Sequence, residues 1–475
     1  HECVRKKMTN LHEQTRLEGN LRRFIAFRLL YSARFYYPVF TVLFLDYGLT
    51  LEQFAILNIV WALTIVGAEV PSGALADIVG RKRLIVFAAV LMVAEMALIA
   101  FAPIAGFDAG GHAEASPLLF WLFLGNRLCS GLSEAAASGA DEALAYDSLK
   151  ALGREDQWAH FLERTTRFVS VGFFVSMITG GLIYDATVVN GVLGSMDSNL
   201  SLAQTSVIRL PVIFTLVSSV VVFFIAIGFY DIDKQRLSAL RETQAQDTSL
   251  LLRLARPFKQ ISVAASWTLG HRFVLFVILA ALMLDSVARQ FVVLASEYYR
   301  VIDIPVSLFG FIGAGVSLIG IANARLSRFL VTTQVPLTNF LSLSGLLLLG
   351  LFGASFAIPW IGLVFAIASF SVLGMVQFQS SYYLNRMVES DLRATVLSFR
   401  GLALNLGLGI ASVFYTGLVA SLRSGMPDGS EDEIFIGALP AFPLYFIGLF
   451  VLLLFAGKVF VRDSTPFKRI GGKAI

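Results

Sequence analysis

Two apolar segments, Ile56 to Val70 and Leu84 to Ala102, flank the run Pro71-Ser72-Gly73-Ala74-Leu75-Ala76-Asp77-Ile78-Val79-Gly80-Arg81-Lys82-Arg83. An apolar hairpin of that length reads as two helices crossing a bilayer, because only a helix satisfies its own backbone in hydrocarbon. Its tip then carries one acid and three consecutive cations. Comparable apolar stretches of about 20 residues recur along the whole chain. The weaker alternating segments that a β-barrel needs do not appear. Only 15% of the residues are charged, against roughly a quarter in a soluble domain.

The hydropathy pattern predicts an all-α polytopic membrane protein with twelve spans. The first six cover about 21–46, 51–77, 84–104, 117–146, 159–184 and 206–229. The second six cover about 271–297, 306–328, 335–356, 358–385, 393–421 and 436–461. Segments 1–23, 78–83, 150–167, 231–268, 386–393 and 458–475 are rich in Lys and Arg. The opposite connections hold only Arg300 and Arg423 as cations, and the last of them is acidic, with Asp428, Glu431, Asp432 and Glu433. The positive-inside rule places both termini in the cytoplasm, and the expected location is the plasma (inner) membrane. The same rule accounts for the net charge of +4 without a nucleic acid partner. No cleavable signal peptide is visible, and His1 to Lys7 precede the first methionine, Met8.

The predicted organisation is a cytoplasmic segment 1–20, a six-helix bundle 21–230, a linker 231–268, a second bundle 269–462 and a tail 463–475. Within the linker, Leu251, Leu254, Phe258 and Ile261 fall at helical spacing, with Arg253, Arg256 and Lys259 off that stripe. This suits an amphipathic helix on the inner membrane surface, bent at Pro257. The halves also echo each other. Arg23-Phe24-Ile25-Ala26-Phe27-Arg28-Leu29-Leu30 aligns on Arg272-Phe273-Val274-Leu275-Phe276-Val277-Ile278-Leu279, as in parallel repeats about an axis along the membrane normal.

The 71–83 run resembles the signature between helices two and three of the major facilitator superfamily, Gly-x-Leu-x-Asp-x-x-Gly-Arg-(Arg/Lys). Its glycines, Gly73 and Gly80, are expected to let the two helices turn sharply and pack closely. The resemblance implies twelve helices in two pseudo-symmetric six-helix bundles, worked by alternating access. It also implies that Asp77 docks at the start of span eleven, near Leu392-Arg393-Ala394-Thr395, and helps latch the inner gate with Arg81, Lys82 and Arg83. The matching hinge of the second half, Gly320-Ile321-Ala322-Asn323-Ala324-Arg325, lacks the acid. Asp141, Glu142 and Asp147 at the inner end of span four are placed to pair with Arg81 to Arg83 or with Arg164, as gate residues. This acidic tail resembles one in a branch of bacterial facilitators.

Span four also carries Gly125-Asn126-Arg127-Leu128-Cys129-Ser130-Gly131, similar to a second superfamily motif in which an arginine precedes a glycine by four. Arg127 lies roughly 14 Å from the outer end, where a lone cation costs at least about 2.5 kcal/mol. It should therefore face a wet cavity or a partner. Glu134 and Asp141 follow at seven-residue steps, on nearly one helix face. Span five holds Gly172-Phe173-Phe174-Val175-Ser176-Met177-Ile178-Thr179-Gly180-Gly181. It resembles the Gly-x-x-x-Gly-Pro-x-x-Gly-Gly motif of drug–proton antiporters but lacks the proline.

Arg34 and Asp285 each sit roughly 20 Å from the inner end of their spans, near the midplane. Asp285 and Arg289 are four apart and can pair on one helix face. Glu95 is as deep, on a span that is often peripheral in this fold, and has a structural or lipid-adjacent role as its expectation. Arg127, Glu134 and Asp285 are the proton-coupling candidates, because burial can raise a carboxylate towards neutrality. Tyr31, Arg34, Phe35, Gln377, Tyr382, Arg400 and Asn405 lie on spans that the resemblance makes cavity-lining.

The five histidines are dispersed, and no metal-ligand spacing, phosphate-binding loop or nucleophile elbow is present,. Neither an enzyme, a cofactor nor a metal is expected. Two distant cysteines, Cys3 and Cys129, make no disulfide framework,. The expected function is secondary transport of a small organic solute, as proton-coupled export of amphipathic compounds by a monomer in the lipid bilayer. The alternatives are uptake or exchange of an organic anion, motivated by Arg34 and Arg127, and a lipid or lysolipid flippase. A non-transporting sensor has no appended signalling domain to support it.

Overall fold

The computed structural model describes residues 2–104, 117–196, 201–232, 250–388 and 390–460. Residues 105–116, 197–200, 233–249 and 389 and those from 461 lie outside the described residues, as does the side chain of Asp77. All regular elements among the described residues are helical. Among the described residues, ten helices are long and apolar enough to cross a membrane. The remaining two of the twelve expected spans, one and four, are both interrupted.

Span one comprises a helix Glu2–Ser32, a 3-10 turn Tyr37–Val39 and a short helix Phe40–Asp46. Span four is a helix Pro117–Ala137 followed, after a break, by a helix Ala140–Ala151. The break falls at Gly139, whose φ of +77° ends the first helix and starts the second. Asp141 therefore lies on a separate helix, and the expected continuous stripe Arg127–Glu134–Asp141 is cut between its second and third members. Polar and charged residues explain why these two spans fall short in apolarity: Arg22, Arg23 and Arg28 in the helix that opens span one, and Asn126, Arg127, Ser130, Ser133 and Glu134 in span four.

Span two runs Leu51–Val79 and span three Arg81–Ala100. The hinge between them is one residue, Gly80, at φ +102° and ψ 140°, a region that costs other residues about 1–3 kcal/mol. The helix passes through Pro71 and Gly73 without interruption. A Cβ built on Gly73 meets nothing within 4 Å among the described residues, so close packing against them is not why this position is glycine. Span five is Trp158–Tyr184 and span six Leu210–Gly228. A Cβ on Gly172 of span five would stand 2.9 Å from Leu29 Cγ of span one, which ties this glycine to a close helix contact.

A helix Leu250–Gly270 covers the second part of the linker. Span seven is Arg272–Val293, eight Val306–Thr333, nine Pro336–Ala354, ten Gly362–Met387, eleven Ser390–Gly425 and twelve Ala441–Phe460. Short helices Ala295–Val301 and Glu431–Ala438 cap the outer ends of seven and twelve. Outer here denotes the ends opposite the Lys- and Arg-rich connections.

Contacts divide the chain into two compact units. One comprises residues 1–37, 64–103 and 121–258, the other 38–63, 104–120 and 259–475. In the first unit, span one packs on five and six, and span three on six. In the second, span seven packs on ten, eleven and twelve, and span nine on twelve. The pairs one–five, one–six and three–six thus recur as seven–eleven, seven–twelve and nine–twelve, the internal repeat of two six-helix halves. The core of the first unit gathers Phe24, Phe27, Ile85, Met92, Val222 and Phe229.

Gly80→Ala is expected to lower the unfolding temperature of the detergent-purified protein through its backbone conformation, whereas Gly73→Ala leaves it unchanged. Thermal unfolding of the two variants side by side checks this.

Candidate functional site

In the first unit the broken part of span one becomes a polar centre. With the helix interrupted at residues 33–36, the Phe35 N–H donates to Thr215 Oγ1 of span six at 3.0 Å. This satisfies a group that unwinding inside a membrane would otherwise leave open. Arg34 turns inward and is 4% exposed. Its Nη1 lies 2.5 Å from Glu95 Oε1, and Glu95 has no exposed surface. Tyr36 accepts from Arg34 at 3.2 Å and donates to Glu95 at 3.3 Å. The Arg34 guanidinium also lies 5.5 Å from the ring centroid of Tyr31 and 5.9 Å from that of Tyr37, within cation–π range.

Spans three and four complete this centre. Asn126 donates to the Glu95 carbonyl at 2.8 Å and accepts from Arg127 Nε at 3.1 Å. Tyr31 shares a hydrogen bond of 2.8 Å with Ser133, which donates to the Ala88 carbonyl. Glu95 is thus a buried partner of span one, which agrees with the structural alternative expected for it and not with the lipid-adjacent one. The reason is electrostatic: a carboxylate with no exposed surface needs a cation, and Arg34 supplies it. Glu134 is exposed and faces the charges of Arg34, Glu95, Glu69 and Arg127. Phe35 sets its ring edge-on to Phe214 of span six at 5.6 Å, a packing contact.

The second unit has its own centre. Asp285, without exposed surface, pairs with Arg289 at 2.8 Å and accepts from Gln377 Nε2 at 2.6 Å. Arg289 also donates to Asn405 at 3.0 Å, so spans seven, ten and eleven meet at four polar side chains. Arg400 donates to Ser380 at 2.9 Å, within electrostatic reach of Asp285. Tyr382 stands apart from this group, near the inner end of span ten, where Arg386 donates to its hydroxyl at 2.5 Å. A pocket of about 190 Å³ opens between spans seven, eleven and twelve, lined mainly by Val287, Phe414, Tyr415, Leu418, Phe442 and Tyr445.

At the inner end of the first unit, Arg81 pairs with Asp147 and donates to the Ala143 carbonyl at 3.1 Å. Asp141 and Glu142 were expected to meet Arg81 to Arg83 or Arg164. Both instead pair with Arg28 of span one, at 2.6 and 2.5 Å. The break at Gly139 sets the second helix of span four against span one, which decides the partner. Lys82 is half-buried and Arg83 exposed.

A model of the Major Facilitator Superfamily matches residues 24–412, more than half of the chain. The chain belongs to the major facilitator superfamily. Its fold is shared with the nucleoside transporter NupG at 13% identity, covering 94% of this chain and 99% of that one with a TM-score of 0.63. A bacterial homologue of the human lysosomal transporter Spinster, inward-facing and unoccupied, is 14% identical over 95% of this chain and 98% of its own, with a TM-score of 0.63. The xylose transporter XylE from E. coli, in a partially occluded inward-open conformation, is 14% identical over 94% and 99% of the two chains, with a TM-score of 0.56. At these identities the likeness is one of fold. No curated protein matches the chain in sequence. As a facilitator it is a multi-pass membrane protein and a non-enzymatic secondary transporter of small solutes.

Sequence reasoning passed over Tyr36, Asn126, Glu69 and Arg28, and left Glu95 open between a structural and a lipid-adjacent role. Depth in the membrane was the signal for Glu95, since an acid so far from either surface implies a cation across the helix interface. Glu95→Ala is expected to destabilise the purified facilitator by about 3–5 kcal/mol, the usual cost of orphaning a buried charge. Replacing Arg34 and Glu95 together by methionine is expected to cost less than Glu95→Ala alone. Glu134→Gln, at an exposed site, leaves the unfolding temperature within a degree or so of the parent. Thermal unfolding of the three variants compares these costs.

Proposed function

We propose that this facilitator exports small amphipathic organic compounds in exchange for protons, by alternating access, from the plasma (inner) membrane of a bacterium with both termini in the cytoplasm. Residues 21–230 and 269–462 are the bundles that move, and Asp77, Arg81 and the acidic end of span four hold the inner gate. The observation that carries the reading is Glu134. It is an exposed carboxylate in a membrane-spanning helix, placed beside a buried pair and the ring of Tyr31. A carboxylate in that position can exchange protons with an aqueous path, while Arg34 is already neutralised and Arg127 already hydrogen-bonded to Asn126.

The same pairing weakens the reading as an organic anion carrier. That alternative needs midplane arginines free to meet an anion, and Glu95 meets Arg34 within the protein. Apolar and aromatic lining favours amphipathic solutes, and the pocket beside spans seven, eleven and twelve is built almost wholly of such groups. Asp285 is the second candidate for proton carriage, restrained by Arg289 and Gln377.

Accumulation of a fluorescent lipophilic cation in efflux-deficient bacteria tests the proposal. Expression of the chain is expected to lower accumulation in a protonophore-sensitive way, and Asp77→Asn to abolish the effect. Glu134→Gln is expected to stop gradient-driven export while leaving solute exchange. Unchanged accumulation with verified membrane expression would count against cationic amphiphiles, and uphill transport by Glu134→Gln would remove that residue from proton coupling.

A further inference from the structure

Arg300 and Arg423 are the two cations in the outer connecting segments, which the charge rule leaves otherwise without Lys or Arg; Arg209, at the outer start of span six, is bonded within the first half to the Ala102 carbonyl. Topology therefore does not explain them, and alternating access as described so far does not use them. The second unit contains residues 38–63, the outer ends of spans one and two, together with the second half of the chain. Both arginines lie where these ends meet the outer ends of spans seven, eleven and twelve.

Arg423, at the end of span eleven, grips Glu52 of span two through Nε and, at 2.8 Å, through Nη2. Its Nη2 also reaches Glu431 at 2.7 and 2.8 Å, and Glu431 accepts from the Leu51 N–H at 3.0 Å. The N-terminus of span two is thus held by two carboxylates and one guanidinium. Arg300 repeats the arrangement one helix over. It contacts Asp46 at the end of span one at 2.9 Å, Glu297 at 2.7 Å and Asp432 at 3.1 Å. In the same unit, Ser296 Oγ accepts from the Thr41 and Val42 N–H groups at 2.9 and 3.1 Å, and Thr41 donates to the Val293 carbonyl at 2.6 Å.

We propose that Arg300 and Arg423 are the two positioning residues of an outer gate, each tying one span of the first half to the second half and releasing it when the outer side opens. This inference rests on the alternating-access reading above. A guanidinium suits the task because its planar fork bonds several carboxylates at once and keeps its charge throughout. The pairs are partly exposed, with Arg423 at 30% and Arg300 at 25%. Water can therefore replace each partner on opening, and the gate remains reversible.

Ser296 supplies the test site, being 3% exposed and seated under the contact. The chain's two cysteines are replaced (Cys3→Ser, Cys129→Ser) and Ser296→Cys is introduced. The rate of modification by a membrane-impermeant methanethiosulfonate is then followed from the outside in intact cells. Slow modification is expected in this parent and roughly tenfold faster modification in Arg423→Gln or Arg300→Gln, as for a closed state that loses one charge-assisted pair. Arg423→Lys is expected to fall between them, having a charge but no fork. Monodisperse elution of each variant in detergent excludes misfolding as the cause of a faster rate. Equal rates in the parent and both Gln variants would overturn the proposal, as would fast modification in the parent. The readout needs no transported solute, so it is independent of whether export of lipophilic cations is found.

Discussion

A charged side chain inside hydrocarbon must be met by another charge or by hydrogen bonds, and much of this structure follows from how Arg34 is met. The guanidinium is brought to Glu95 by breaking span one after Ser32. The break releases backbone groups, one of which finds Thr215 on span six. Glu95 in turn fixes span three, and its carbonyl holds Asn126, which orients Arg127. Four helices of the first half are thus tied to one ion pair. The cost of burying that pair is offset only because Tyr36 and the ring of Tyr31 share in it,.

The second half reaches the same end differently. Asp285 and Arg289 sit one helical turn apart on an unbroken span seven, and Gln377 and Asn405 bind them to spans ten and eleven. Each half therefore neutralises its own deep charges. A motion that parts the two sequence halves breaks neither centre, whereas ion pairs among the described residues join the halves near the outer ends of the spans. These are the pairs of Arg300 and Arg423 with Asp46 and Glu52. Placing breakable pairs at wet ends and permanent ones at the dry centre is what the dielectric difference favours.

The spans were legible in the sequence because length and apolarity suffice to identify a membrane helix, and the superfamily motif identified the hinge. The sequence also showed which residues were deep: Arg34, Glu95, Arg127 and Asp285. It did not show which of them touch. Arg34 and Glu95 are 61 residues apart on different helices, and no periodicity links them, whereas Asp285 and Arg289 share a helix face and are readable at i, i+4. The break at Gly139 was hidden for a related reason. A single glycine within an apolar run is common in membrane helices, so only its positive φ reveals that Asp141 belongs to another helix and meets Arg28 rather than Arg81. Gly73 shows the converse. The motif contains it, yet neither backbone conformation nor close packing in this structure requires it.

Alternating access, as proposed, has the two sequence halves moving against each other as bodies, with the outer and inner ends opening in turn. Spin labels at the exposed positions Val192 and Ser424 report on the outer side, and labels at Asp156 and Arg325 on the inner side, in protein freed of Cys3 and Cys129. Pulsed dipolar distance measurements in lipid nanodiscs, taken as pH is lowered from alkaline to acidic, compare the two pairs directly. One mean distance is expected to lengthen while the other shortens. Distances that both stay fixed, or that change in the same direction, would contradict it.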